Sequence, residues 1–436
     1  MPLQLGSVML DWSKNMVSNN STNHFRHIDY IKITVFGFAL AALWSSLHTI
    51  ILPLRILDLV SEAQKNTYLG LLSGIGLILA MLVQPIAGAI SDRSGFGWGR
   101  RRPYILVGTV LAVFFLPGIG LFDSFTVILI VYCLLQISSN TAQGPFQAFI
   151  PDLVPEGRRG RASGVKGLLE MIGGVALVRL IAYFMGRYFA GEGSPWLWLS
   201  LAALGIVLLI TMLATVFTVK ERAGAGGAQL PLLPTLYKSF KIDVKASPGF
   251  ILFLVSRLLI LMAMATLQRF ALYFLMDVVG IANPAEVAGD LLIAVGVCLV
   301  AAVYPAGRLS DRIGRRPVVV FSGFLGALGI LLLLFSHSYG YIMFCGALLG
   351  ISSGAFISSN WALATDLVAK GEEARYLGLT NLATAGASAL TLFTIGPAID
   401  FFNAHSPGLG YEVMLLACLI YFIVGSLLLM KIKGRS

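Results

Sequence analysis

The chain has 436 residues, 57% of them hydrophobic and only 12% charged. A water-soluble domain is about 45–50% apolar and about a quarter charged, so this composition excludes a soluble fold and makes lipid the solvent. The net charge of +10 does not indicate nucleic acid, because the basic residues sit in short loops between apolar runs and build no basic domain.

Residues 1–30 are mostly polar and are expected to form a cytoplasmic tail with no secretory signal. A bilayer core about 30 Å thick needs about 20 apolar residues per helix. Twelve stretches qualify: 32–57, 67–91, 103–121, 125–150, 162–188, 196–219, 250–276, 286–308, 317–336, 340–366, 376–401 and 411–431. Residues 220–249, rich in Gly, Ala, Pro and Lys, read as a cytoplasmic linker, and 432–436 as a cytoplasmic tail. Lys and Arg crowd both chain ends and the loops after even-numbered spans, while the opposite loops hold little beyond Lys65 among several acids. Such asymmetry places both termini in the cytoplasm. Cys133, Cys298, Cys345 and Cys418 fall inside apolar runs without metal-ligand spacing and read as small buried hydrophobes, so no metal or cofactor is expected.

The second half repeats the first. Asp92 and Asp311 are 219 residues apart, as are Asp58 and Asp277. Beyond the charged loop the offset falls to 214: Pro103 matches Pro317, Asp152 matches Asp366, and Arg161 matches Arg375. The change of five lies inside ISDRSGFGWGRRRP, whose shorter echo is LSDRIGRRP. The chain thus reads as an all-α polytopic membrane protein with two six-helix halves, residues 31–219 and 250–431. Halves related by an axis along the membrane normal are a transporter design, with the solute site between them near the midplane.

The G-x-x-x-D-R-x-G-R-R loop after span two, repeated after span eight, resembles the signature of the major facilitator superfamily. D-x-x-x-x-x-x-R after spans four and ten resembles its companion. The extended first copy and QGPFQAFIPDL at 143–153 resemble the glycoside–cation and sucrose–proton symporters. Where those transporters usually carry an arginine, this chain has Gln147. The superfamily's drug–proton antiporters carry a Gly-Pro-rich motif in span five, and GVKGLLEMIGG here contains no proline.

The charged loops suggest a cytoplasmic gate that exists only while the two inner ends are closed together. Its expected members are Asp92, Arg93, Arg101 and Arg102 in one half, and Asp311, Arg312, Arg315 and Arg316 in the other. The pairs envisaged are Asp92 with Arg102 and Asp311 with Arg316, braced by Asp152–Arg161 and Asp366–Arg375. Positive charge that merely fixes orientation is the simpler alternative, but it leaves the repeated aspartates unexplained.

The resemblance implies a cavity lined by spans one, four, seven and ten. Gln136, Asn140, Gln143 and Gln147 form one helical face, which is costly against lipid. Trp44, His48 and Arg55 share a face of span one. Span seven offers Gln268, Arg269 and Tyr273, and span ten offers Ser353, Phe356, Asn360 and Trp361. Amides and hydroxyls suit sugar OH groups, and aromatic faces suit sugar CH surface. The same amides also serve as interhelical glue. Arg55 and Arg269 suit an acidic solute, although Arg55 also lies where it can snorkel or pair with Asp58. For cation coupling, Glu170 and His48 are the candidates, with a Glu170–Lys166 structural ion pair as the alternative.

The leading expectation is a secondary active transporter of the plasma membrane, a monomer coupling a proton or sodium to uptake of a small solute, a sugar or glycoside. Proton-coupled efflux of amphipathic solutes is the first alternative. A membrane enzyme or primary pump is disfavoured, since the sequence contains no G-x-x-x-x-G-K-[ST] loop and no H-E-x-x-H motif. A non-transporting sensor on the same fold stays open.

Overall fold

The computed structural model describes residues 26–221, 248–335, 338–367 and 373–431. Among them are twelve helices long and apolar enough to cross a membrane, and no strand. Spans one to six run His27–Leu59, Glu62–Asp92, Arg102–Leu121, Phe125–Leu153, Glu156–Phe189 and Pro195–Thr218. Spans seven to nine run Pro248–Asp277, Pro284–Ile313 and Arg315–Leu333. Spans ten to twelve run Tyr339–Leu367, Glu373–Asn403 and Leu409–Met430. The first helix starts inside the stretch expected to be tail, because the Asp29 carboxylate accepts the Arg26 N–H at 2.8 Å and caps that turn. The rest of that tail (1–25), most of the linker (222–247) and the tail 432–436 lie outside the described residues.

Local chemistry sets the breaks. Pro53 has no N–H to continue the span-one ladder, and the turn just before it, Leu47–Ile51, is wound as a π-helix. The wider turn takes up the missing hydrogen bond and re-aims His48, the kind of bulge often seen at functional sites. Prolines 103, 195 and 284 open spans three, six and eight, where a missing N–H costs nothing.

Spans one to six pack mainly on one another, span four against two and three, and span one against five and six. Spans seven to twelve repeat the pattern, with ten against eight and nine, and seven against eleven and twelve. Small residues let the backbones close up, as expected without a hydrophobic force between helices in lipid. Contacts between the two sets cluster toward the end opposite the basic loops. There Gly70 and Gly396 let spans two and eleven approach so closely that an added Cβ would strike the Leu392 or Asn66 carbonyl oxygen. Gly289 of span eight sits likewise on Ala182 of span five.

Toward the basic loops the same helices part. A Cβ placed on Gly88, Gly164, Gly167 or Gly386 meets no atom within 4 Å. Leu82, Ile86 and Ile90 of span two are exposed, as are Tyr304, Leu309 and Ile313 of span eight. The molecule is closed at one end and open at the other.

Candidate functional site

On the inner side of the first set, spans one and four join in a polar and aromatic cluster. Trp44 stacks on His48, with centroids 5.2 Å apart at 28°, and meets Tyr132 edge-on. The Tyr132 hydroxyl lies 2.7 Å from His48 Nε2 and accepts from Gln136 Nε2 at 2.8 Å. Asn140 Nδ2 in turn donates to Gln136 Oε1 at 3.0 Å. From the other set, Arg269 is within electrostatic reach of both His48 and Tyr132. Tyr132 is one turn before Gln136 on the amide face, so extending that stripe by one turn would have found it.

The rest of the predicted cavity divides. Gln143 is half-buried, and Gln147 is exposed at the open end; neither joins the cluster. Gln268 is exposed and borders an apolar cavity of about 320 Å3, with Ser353, Met264, Leu291 and Ile357 also on its wall. The Ser353 hydroxyl donates to its own helix, to the Leu349 carbonyl at 2.8 Å. Asn360 accepts from Arg257, while Trp361 is 41% exposed under the same guanidinium, 5.5 Å from the ring centre. Phe356 belongs to the core, not to the cavity face expected of it. Tyr273 is another correction: it is fully buried, its hydroxyl donates to the Pro53 carbonyl at 2.7 Å, and Lys65 covers its ring. It closes the molecule and presents nothing to a solute. Arg55 is occupied too, by Asp58 at 2.8 Å, Asp123 at 3.3 Å and the Ile119 and Phe122 carbonyls. Glu170 pairs with Lys166 at 3.5 Å and abuts Gly37 of span one.

Sequence reading missed the seal at the closed end. Lys65 Nζ of span two reaches Asp277 Oδ1 of span seven at 2.7 Å. The second oxygen of Asp277 accepts from Tyr411 at 2.6 Å. Asp400 of span eleven accepts from Asn66 Nδ2 at 2.8 Å and from the Thr67 N–H at 2.7 Å. Arg179 of span five pairs with Asp290 of span eight at 2.8 Å. Each contact crosses from one set of six to the other, except that of Tyr411. Two clues were present: Lys65 is a lone cation among acidic loops, and Asp277 is the repeat of Asp58.

The charged loops behave differently from the expected gate. Asp92 pairs with Arg101 at 2.7 Å, not with Arg102, and Arg101 also holds Asp152 at 2.5 Å. Arg100 adds a second bond to Asp152, whereas Arg161 is exposed and makes no ion pair among the described residues. Arg102 donates to the Val216 carbonyl at the end of span six and lies over Trp98. In the other half Asp366 pairs with Arg315 at 2.5 Å, and Arg316, expected on Asp311, donates instead to the Met430 carbonyl at the end of span twelve. Asp311 makes no ion pair among the described residues; it, Arg312 and Arg93 are exposed. The Arg375 side chain lies outside the described residues. The described ion pairs of these loops therefore lie within one half and persist while the basic ends are apart. They brace each six-helix set. Glu221, just past span six, accepts the Arg101 N–H at 3.0 Å; burial pushes its carboxyl up from the ordinary range.

A family model described as "MFS/sugar transport protein" matches residues 36–431. Among curated proteins, "Sucrose transport protein SUT1" of Oryza sativa subsp. japonica is 36% identical over 107 residues, 20% of this chain and 20% of that one. "Sucrose transport protein SUT2" of Oryza sativa subsp. indica is 32% identical over 186 residues, 35% of this chain and 36% of that one. The chain thus spans about a fifth to a third of the length of these relatives. Solved structures share the whole fold at low identity. The nucleoside transporter NupG gives a TM-score of 0.74 at 12% identity, covering 93% of this chain and 99% of that one. A D-xylose–proton symporter gives 0.68 at 15%, covering 94% and 99%. A bacterial homologue of the human lysosomal transporter Spinster, inward-facing and unoccupied, gives 0.71 at 16%, covering 95% and 99%. With twelve spanning helices and the major facilitator fold, the chain is a multi-pass membrane protein and belongs to the MFS/sugar transport protein family.

Proposed function

We propose that the protein is a monomeric symporter of the plasma membrane that couples a proton to uptake of a sugar or glycoside. The basic loops and both termini face the cytoplasm, so the state described is inward-open. The observation that carries this reading is the cluster of Trp44, His48, Tyr132, Gln136 and Asn140 in one half, within electrostatic reach of Arg269 of the other. Stacked aromatics suit the apolar face of a sugar ring, and the amides and hydroxyl suit its OH groups. The sucrose and xylose carriers similar to this chain support a sugar as cargo.

His48 is the proton site favoured by geometry, because it shares a hydrogen bond with Tyr132 inside the solute cluster. Glu170 is held by Lys166 away from that cluster and serves better as a structural pair. Tyr132→Phe is expected to cut uptake about tenfold or more by removing the hydroxyl shared by His48 and Gln136. Tracer uptake at sub-saturating solute checks this. Retained uptake driven by a proton gradient in His48→Ala would move coupling elsewhere.

The direct test is reconstitution in proteoliposomes with a panel of labelled sugars, with and without an imposed proton gradient. Gradient-stimulated accumulation is expected; absence of flux for every sugar would reject the reading. The apolar cavity beside Gln268 favours one second reading, transport of amphipathic solutes. A volume near 300 Å3 suits a small apolar body. Accumulation of apolar cations in place of sugars would select it.

A further inference from the structure

Most of the cations embedded in the helices have a carboxylate partner. Arg55 has Asp58 and Asp123, Lys65 has Asp277, Lys166 has Glu170, and Arg179 has Asp290 and Glu286. Two arginines of span seven break this pattern. Arg257 is nine-tenths buried and donates only to neutral groups, Asn360 Oδ1 and the Thr384 hydroxyl at 3.1 Å. Arg269 leaves a buried guanidinium nitrogen with no hydrogen-bond partner. Among the described residues no carboxylate pairs with either.

A guanidinium cannot escape by losing its proton. A buried charge without a counter-charge is costly, and a fork of free donors is matched best by a carboxylate. The two groups are also placed for solute. They stand 12 residues apart on one helix, about 18 Å along its axis. The middle of Pro248–Asp277 lies between them. Arg269 is within electrostatic reach of the His48–Tyr132 cluster, and Arg257 lies over the exposed Trp361 ring toward the open end. Beside Arg257, the Asn360 Nδ2 amide is buried and without a partner, so a second donor is free at the same spot.

We propose that the transported solute carries a carboxylate: a sugar acid of hexuronate type or an acidic glycoside. Its anionic group is engaged by Arg257 on the open side of the midplane and by Arg269 on the closed side. The spacing lets one carboxylate meet one arginine at a time, so the pair forms two successive stations on the path. This inference rests on the sugar reading above and specifies its cargo.

The test compares matched neutral and acidic sugars, D-glucose with D-glucuronate and D-galactose with D-galacturonate. Proteoliposomes of phosphatidylcholine alone are used, so that no anionic lipid supplies the charge. At least one acid is expected to bind and to be taken up about tenfold or more in preference to its neutral partner. Arg257→Gln and Arg269→Gln are each expected to narrow that ratio about tenfold. Uptake of neutral sugars with no preference for acids overturns the anion inference while leaving sugar transport standing. Unchanged ratios in both variants, with melting behaviour intact, also overturn it. Flux of neither class fails the sugar reading, and the inference falls with it. Should a variant not fold, the acid-to-neutral ratio of the natural protein decides.

Discussion

Replacing Arg101 with alanine is expected to destabilise the folded protein by about 2–3 kcal/mol, whereas the same change at the repeat-related Arg315 costs under about 1 kcal/mol. The difference follows from burial. The Arg101 side chain is 4% exposed and neutralises two aspartates at once, Asp92 at 2.7 Å and Asp152 at 2.5 Å. Its loss leaves Asp152, itself three-quarters buried, with Arg100 alone. Asp92 is half in solvent, which holds the cost below that of breaking a fully buried pair. Arg315 and Asp366 are 33% and 52% exposed, so water competes for both. The five extra residues of the first loop account for this contrast, because they carry the arginine run back to Asp92. In the shorter copy Arg315 makes an ion pair with Asp366 alone, and Asp311 makes none among the described residues. Thermal melting of purified variants in detergent reads the difference directly; equal losses at the two positions would refute the asymmetric brace.

The second large effect is expected at the closed end. Lys65→Ala removes the 5% exposed cation that Asp277 shares across the two halves. It leaves Asp277 near Asp400 in the closed state, whereas opening hydrates both carboxylates. Losing about 2 kcal/mol of such a contact changes a two-state ratio about thirtyfold. The variant should therefore favour the outward-open state, with faster labelling of cysteines placed at the closed end and slower net uptake. Asp277→Asn, which keeps an acceptor for Tyr411 but strips the buried Lys65 ammonium of its carboxylate, should shift the same equilibrium in the same direction.

Which features were legible in sequence follows from what each depends on. The twelve spans, the duplication and the fold were readable because lipid forces long apolar runs and the repeat leaves matched punctuation. The amide stripe of span four was readable from helical spacing, and Gln136 and Asn140 do enter the polar cluster. The partners were not. Asp92 has four arginines within ten residues, and only the path of the SGFGW insert selects Arg101. Tyr273 carries the right chemistry for a cavity, but the register of span seven turns it onto Pro53. The seal was hidden because its partners lie more than 100 residues apart, 212 in the case of Lys65 and Asp277. Local spacing gives no hint of such a pairing. Arg257 was visible as an intramembrane cation, but only packing reveals that Asn360, Thr384 and Trp361 surround it without an acid.

The two six-helix sets are expected to rock about a fixed site, closing one end as the other opens. Pulsed electron–electron distance measurements on two label pairs test it most directly, in a cysteine-free background. One pair, Glu62→Cys with His405→Cys, spans the sealed end; the other, Ser163→Cys with Leu309→Cys, spans the open basic end. All four positions are exposed. With Lys65 intact, a short sealed-end distance and a long basic-end distance are predicted. Introducing Lys65→Ala should lengthen the first and shorten the second in the same molecules. A sealed end that loosens while the basic-end distance stays unchanged would rule out such rocking.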